Sequence, residues 1–223
     1  MSPKSGRLNL MKLYHYVHCP FCVRVRMGLG FLALPYESVV LPYDDEETPL
    51  KLTGKKMLPI FESDDGISQN ESLDILKKLD SKNLLNWDFL KKHQSEVDSL
   101  LSLISSPVHS LAMPYWIWTP EFNEKSRHYF QSKKEIKRGP FKILVKNKNQ
   151  FTNEIKNILE NNLLPHCQPF YKNSTLSIVD IMIASHLWGL FIVPEFQFDK
   201  EVLNYLLRIQ ALTKFNYHED FWN

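Results

Sequence analysis

Two cysteines three positions apart, Cys19 and Cys22, stand in the stretch Tyr16-Val17-His18-Cys19-Pro20-Phe21-Cys22, between an apolar strand-like run and a helical pattern. A cysteine attacks as its thiolate. In a C-x-x-C turn that opens a helix, the first sulfur meets unpaired backbone N–H groups and the positive end of the helix dipole, and both lower its pKa. Cys22, one turn further on, can then attack a disulfide formed at Cys19, so the spacing supplies a nucleophile and its resolving partner. Pro20 suits the first turn, where a missing N–H costs nothing. A structural zinc site needs four ligands, and no second C-x-x-C or H-x-x-x-H follows. Attachment of a c-type haem would need His where Val23 stands. Redox chemistry is therefore the expectation, with no metal.

The surrounding elements must hold that turn. Met11 to Tyr16 alternates apolar with polar residues and reads as a strand entering the turn. Val25, Leu29 and Leu32 repeat at helical spacing until Pro35, with Arg24 and Arg26 expected off that apolar stripe, keeping the site electropositive. Tyr36 to Leu41 reads as a second strand, which makes a β-α-β unit with parallel strands. Asp44 to Thr53 is a short polar helical or irregular segment, and Leu58-Pro59-Ile60-Phe61-Glu62 is a third strand with a proline where a strand tolerates it. Asp64-Asp65-Gly66 turns the chain into a fourth strand, Ile67 to Gln69. Leu73, Ile75, Leu76 and Leu79 mark the next helix, with Asn70 as its expected N-cap and Glu71 and Ser72 in its first turn.

Beyond this point strand signals vanish. Leu90, Val97, Leu101 and Ile104, then Leu144, Phe151, Ile155 and Ile158, fall at helical spacings, and Ser177 with Asp180 three residues later is a capping-box pattern before a helix apolar nearly all round. The expected organisation is an extension over residues 1–10, an α/β unit over 11–80, a linker over 81–86 and an all-α unit over 87–223. Tyr115-Trp116-Ile117-Trp118 is read either as the wall of a cleft between the two units or as domain core.

Among 223 residues, 27 Lys and Arg against 25 Asp and Glu leave a net charge of +2, too little to imply nucleic-acid or membrane binding by bulk charge. Lys133, Lys134, Lys137, Arg138, Lys142, Lys146 and Lys148 form a basic stretch opposed only by Glu135; at helical spacing it is expected to be a solvated face. Three cysteines make no disulfide framework and fit a reducing compartment, so a cytoplasmic protein is expected. Cys167 is expected to be a buried or half-buried free thiol. Residues 1–10 lack an apolar signal core, and no run approaches the roughly 18 apolar residues of a membrane span, so neither secretion nor membrane insertion is expected.

Together, His18-Cys19-Pro20-Phe21-Cys22, the Leu58-Pro59 strand start, the Asn70-Glu71-Ser72 helix start and the all-helical second half resemble glutaredoxins of the glutaredoxin 2 type. These are glutathione-dependent oxidoreductases shaped like glutathione transferases. The likeness covers residues 11 to about 213, and Met11 to Cys22 and Gly54 to Ile60 are its most specific parts. It implies a thioredoxin-like N-terminal domain with a cis Pro59, followed by the all-α C-terminal domain. It further implies that Cys19 is the nucleophile, Cys22 the resolving thiol, and His18 and Pro20 supporting neighbours. The backbone of Leu58 would pair with the cysteinyl part of glutathione as an added strand. The Glu71 carboxylate would face the γ-glutamyl ammonium, and the Ser72 hydroxyl its carboxylate. Phe21 stands where the commonest glutaredoxin motif has tyrosine; the aromatic face remains and a hydroxyl is lost. The partners implied are glutathione as co-substrate and disulfide-bonded or glutathionylated proteins, with the chain a monomer and no bound cofactor. Rival readings on the same fold are a glutathione transferase or dehydroascorbate reductase, and a non-catalytic iron-sulfur carrier or interaction protein. Pro20 after Cys19 argues against the cluster.

Overall fold

The computed structural model describes residues 11–218. The expected extension, residues 1–10, lies outside them, as do residues 219–223. Four short strands form one sheet: β1 (Lys12–His15), β2 (Glu37–Val40), β3 (Ile60–Glu62) and β4 (Ser68–Gln69), in the order β2-β1-β3-β4. β1 is parallel to β2 and antiparallel to β3, and its Leu13 lies opposite Ser38 on one side and Phe61 on the other. β4 joins β3 antiparallel at the edge. Helix α1 (Pro20–Phe31) makes the crossover between β1 and β2, α2 (Glu47–Thr53) precedes β3, and α3 (Ser72–Leu79) follows β4. Helix α1 stops four residues before Pro35: Leu32 caps it, and Ala33 and Leu34 return their N–H groups to Gly30 and Leu29.

The rest of the described chain is mainly helical. Helix α4 (Trp87–Trp116) runs for 30 residues through Pro107 and Pro114, followed by α5 (Glu124–Arg138), α6 (Phe141–Lys146) and α7 (Lys148–Ile158). Helices α8 (Ile178–Leu187) and α9 (Lys200–Thr213) complete it. Every residue of α8 is buried, which is why its sequence is apolar nearly all round. No helix among the described residues is long and apolar enough to cross a membrane.

Helix α1 joins the two halves. Its Val23, Val25, Met27 and Leu29 share one core with Leu13 and Phe61 of the sheet and with Val179 and Ile183 of α8. Its other neighbours are α3 and α9, and at Gly30 the approach is so close that a Cβ would sit 1.9 Å from the Thr213 carbonyl oxygen. Because α1 is covered in this way, Arg24 and Arg26 are buried rather than solvated at the rim of the site. Their heads rest on aromatic faces instead: the Arg24 guanidinium lies 5.0 Å from the centre of the Phe21 ring and that of Arg26 4.8 Å from Phe215.

Candidate active site

Cys19 is the N-cap of α1, with extended backbone, and Pro20 occupies the first helical turn. It is half-buried, whereas Cys22 is fully buried; all three cysteines of the chain are free thiols. The Cys22 thiol donates a hydrogen bond to Cys19, and together with the nearby His18 and the backbone N–H groups of Cys22 and Phe21 it outweighs burial and draws the Cys19 pKa down to about 6. Burial and the same hydrogen bond push Cys22 well above its ordinary value, and Tyr16 N–H points at its sulfur from 3.4 Å. One sulfur is thus set to be a thiolate at neutral pH and the other a thiol.

That division gives a direct test. Iodoacetamide is expected to modify Cys19 alone at neutral pH, with a rate that follows a midpoint near 6 in place of the ordinary value of about 8.5. Cys22 should stay silent, as should Cys167, whose thiol burial pushes up to about 12. Peptide mass spectrometry across an acid-to-alkaline series measures all three.

His18 does not face the thiol as a free base. Its ring Nδ1 lies 2.6 Å from Glu121 Oε1, and its backbone N–H donates to the same oxygen over 2.9 Å. Both side chains are buried, and the imidazole is packed among Tyr16, Tyr43, Trp116, Phe122 and Phe130. Burial pushes the Glu121 carboxyl up, but its bonds to His18 prevail and hold it below the ordinary range. Sequence reasoning missed Glu121. It sits in the turn between α4 and α5, 103 residues from His18, and carries no local motif.

The remaining predicted residues lie around the turn as follows. The Leu58-Pro59 bond is cis, and both residues stand just before β3. Glu71 is exposed and takes φ 72°, a left-handed conformation that a residue with a side chain rarely adopts. It, rather than Asn70, occupies the N-cap of α3; the Asn70 amide turns back to donate to Thr53 Oγ1 over 3.2 Å. Ser72 is buried, and its hydroxyl oxygen accepts from Arg24 Nη1 over 3.0 Å. Phe21, Arg24 and Ser72 therefore form a connected chain beside Cys19, with burial drawing the Arg24 guanidinium down to about 10.

A cavity of about 250 Å³ opens beside Cys19, between Pro20 and Phe21 on one side and the helical half on the other. Trp116 and Met113 of α4 line it, so this tryptophan belongs to a cleft wall, whereas Trp118 is 67% exposed. Lys134, Lys137 and Arg138 line it too. This corrects the expectation for the basic stretch: these three members face the cleft, because the face of α5 that carries them is turned toward the cysteine helix. Among the described residues no cluster of His, Cys, Asp and Glu is placed to hold a metal ion.

Two family models match the chain: glutathione S-transferase, N-terminal domain, over residues 13–86, and glutaredoxin 2, C-terminal domain, over residues 96–221. Glutaredoxin 2 of Escherichia coli K12 is 32% identical over 212 residues, which are 92% of this chain and 97% of that protein. The crystal structure of glutaredoxin 2 from Salmonella typhimurium in complex with glutathione superposes with a TM-score of 0.83 at 32% identity, over 94% of this chain and 97% of that one. A glutathione S-transferase of Ceriporiopsis subvermispora shares the fold at 17% identity, with a TM-score of 0.74 over 93% of this chain and all of that one. By its identity to glutaredoxin 2 along nearly its whole length, and by the match of its helical half, the chain belongs to the glutaredoxin 2 family.

Proposed function

We propose that the protein is a glutathione-dependent thiol-disulfide oxidoreductase working through Cys19 and Cys22. The observation that carries this reading is the asymmetry of the pair: a half-buried Cys19 held as thiolate by a buried Cys22 thiol. The Cys19 thiolate attacks a protein disulfide or a glutathione mixed disulfide. Cys22 resolves protein mixed disulfides, and two glutathione molecules reduce the resulting Cys19-Cys22 bridge. In this reading glutathione lies against Phe21 and pairs with the Leu58 backbone beside Pro59. Its γ-glutamyl end meets the exposed Glu71 carboxylate and the Ser72 hydroxyl, which still has a proton to donate while its oxygen accepts from Arg24. His18 and Pro20 shape the turn that presents Cys19.

The same reading takes residues 11–80 as the redox domain, 81–86 as linker and 87–223 as the helical domain. One chain supplies both walls of the cleft, in keeping with a monomer. A cytoplasmic setting suits a dithiol that glutathione must keep reduced.

A Cys22→Ser protein distinguishes this mechanism from a thioredoxin-like one. It is expected to keep most of its activity on a glutathione mixed disulfide of a small thiol and to lose reduction of a protein disulfide. Equal loss on both substrates, measured in a coupled glutathione and NADPH assay, would overturn the glutathione mechanism.

A further inference from the structure

The cavity beside Cys19 holds more positive charge than the proposed chemistry so far uses. Lys134, Lys137 and Arg138 stand three and four residues apart on one face of α5, and all three line it. None of them forms an ion pair among the described residues. Glu135, the acid within that run, is turned to the Phe141 N–H and the Gln131 amide. Arg138 is fixed by neutral acceptors, the Ser106 carbonyl and the Ser110 hydroxyl, each at 3.1 Å, so its charge is positioned without being neutralised. Its Nη2 lies 3.5 Å from His109 Nδ1. A guanidinium can only donate there, which leaves the His109 proton on Nε2, a buried donor with no partner. Burial keeps this imidazole neutral, with a pKa of about 3.

Lys134 is drawn below its ordinary value by burial and by repulsion from Lys137, Arg138 and Lys133, with Cys19 the one group pulling the other way. The cations thus share the cavity with the reacting sulfur. The floor between them is apolar, made by Phe21, Met113, Trp116 and Phe130. Of the residues assigned to glutathione only Phe21 lines the cavity; Leu58, Pro59, Glu71 and Ser72 are absent from it. The cavity is also below the ~300–1,000 Å³ of sites for drug-sized ligands.

We infer that this cavity is the subsite for the departing half of a glutathione mixed disulfide, and that it selects small thiols carrying a carboxylate. The inference rests on the glutathione-dependent reading given above. The Cys19 thiolate attacks the glutathione sulfur, and the bond between the two substrate sulfurs breaks. Its electron pair leaves with the small thiol as a thiolate, while Cys19 becomes the mixed disulfide with glutathione. Cys19 is oxidised and the departing sulfur reduced. Lys134, Lys137 and Arg138 meet two negative charges there: the carboxylate, present throughout, and the thiolate, which develops as the bond breaks.

The test uses three mixed disulfides of glutathione, with mercaptopropionate, mercaptoethanol and cysteamine, whose departing halves are anionic, neutral and cationic. The expected order of kcat/KM is anionic, then neutral, then cationic, with about tenfold between the first two, the scale of a pair of half-screened ion pairs. In the doubly substituted Lys134→Gln, Lys137→Gln protein the anionic-to-neutral ratio should fall toward one, and Lys137→Glu, at an exposed position, should lower it on its own. No charge preference in the unsubstituted protein, or a preference that survives the double substitution, would overturn the subsite while leaving the oxidoreductase reading intact. Failure to reduce even the neutral mixed disulfide would overturn both.

Discussion

A Cys19→Ser protein is expected to lose disulfide reduction by at least about a thousandfold, the scale of removing a nucleophile that forms a covalent intermediate. Serine at this position would need a base to activate its hydroxyl, and the site offers none. The His18 imidazole is committed to Glu121 at 2.6 Å and enclosed by aromatic rings. Cys22 is a poor substitute as nucleophile, because it is fully buried and burial is the largest of the causes that push its pKa well above the ordinary range. The helix N-terminus that stabilises a thiolate does little for a neutral hydroxyl. The measurement is the coupled glutathione and NADPH assay on a small disulfide, with circular dichroism to show that the fold persists. Residual activity above about a tenth would reveal a second nucleophile and remove Cys19 from the centre of the mechanism. Activity toward an electrophilic aromatic substrate that survives the substitution would favour a transferase, which activates the glutathione thiol and not a protein one.

The contrast between Cys19 and Glu121 shows what a chain can disclose without coordinates. The C-x-x-C turn was legible because its chemistry is local: nucleophile, resolving thiol and helix start lie within four residues. The β-α-β opening, the proline before β3 and the Ser177 to Asp180 box were legible for the same reason, each being a short pattern with its own physical cause. Glu121 became part of the site only through folding, since nothing within its own turn refers to His18. The basic face of α5 failed in another way. Helical spacing says that Lys134, Lys137 and Arg138 share a face, but whether that face meets water or the cysteine turn depends on how α5 is laid against α1 and α4. The burial of Arg24 and Arg26 was not legible either: a charged head is ordinarily solvated, yet long stems and the nearby rings of Phe21 and Phe215 let both be covered. At α3, Asn70 is the better N-cap by type. The chain turns one residue later, at the left-handed Glu71, and Asn70 serves Thr53 instead.

An Asp180→Ala protein is expected to show the largest loss of stability of any single substitution considered. The Asp180 side chain is fully buried at the start of α8. Oδ1 accepts from Tyr171 N–H at 2.8 Å and from the Tyr205 hydroxyl at 2.9 Å, and Oδ2 from Ser177 N–H at 2.8 Å and the Ser177 hydroxyl at 3.0 Å. Alanine would strand two backbone N–H groups away from water together with the Tyr205 hydroxyl, at a cost of roughly 3–5 kcal/mol against a total of about 5–15 for a domain. Burial itself pushes the carboxyl above its ordinary value despite these four bonds, so the group is costly to ionise and is held by its partners. Asparagine separates the two contributions. Its one carbonyl oxygen can serve either the Tyr171 and Tyr205 pair or the Ser177 pair, and its amide must then face donors on the other side. Its loss is therefore expected to be intermediate, with the removed charge recovering part of the desolvation cost. Urea unfolding of the three proteins at neutral pH gives the order. A loss for Asp180→Ala below about 1 kcal/mol, the size of an ordinary exposed cap, would mean that α8 takes its position from apolar packing alone. Because α8 is also the helix on which α1 rests, loss of its anchor should loosen the Cys19 turn before the sheet unfolds, and the iodoacetamide profile of Cys22 is the place to see it: a thiol silent in the parent protein should begin to react.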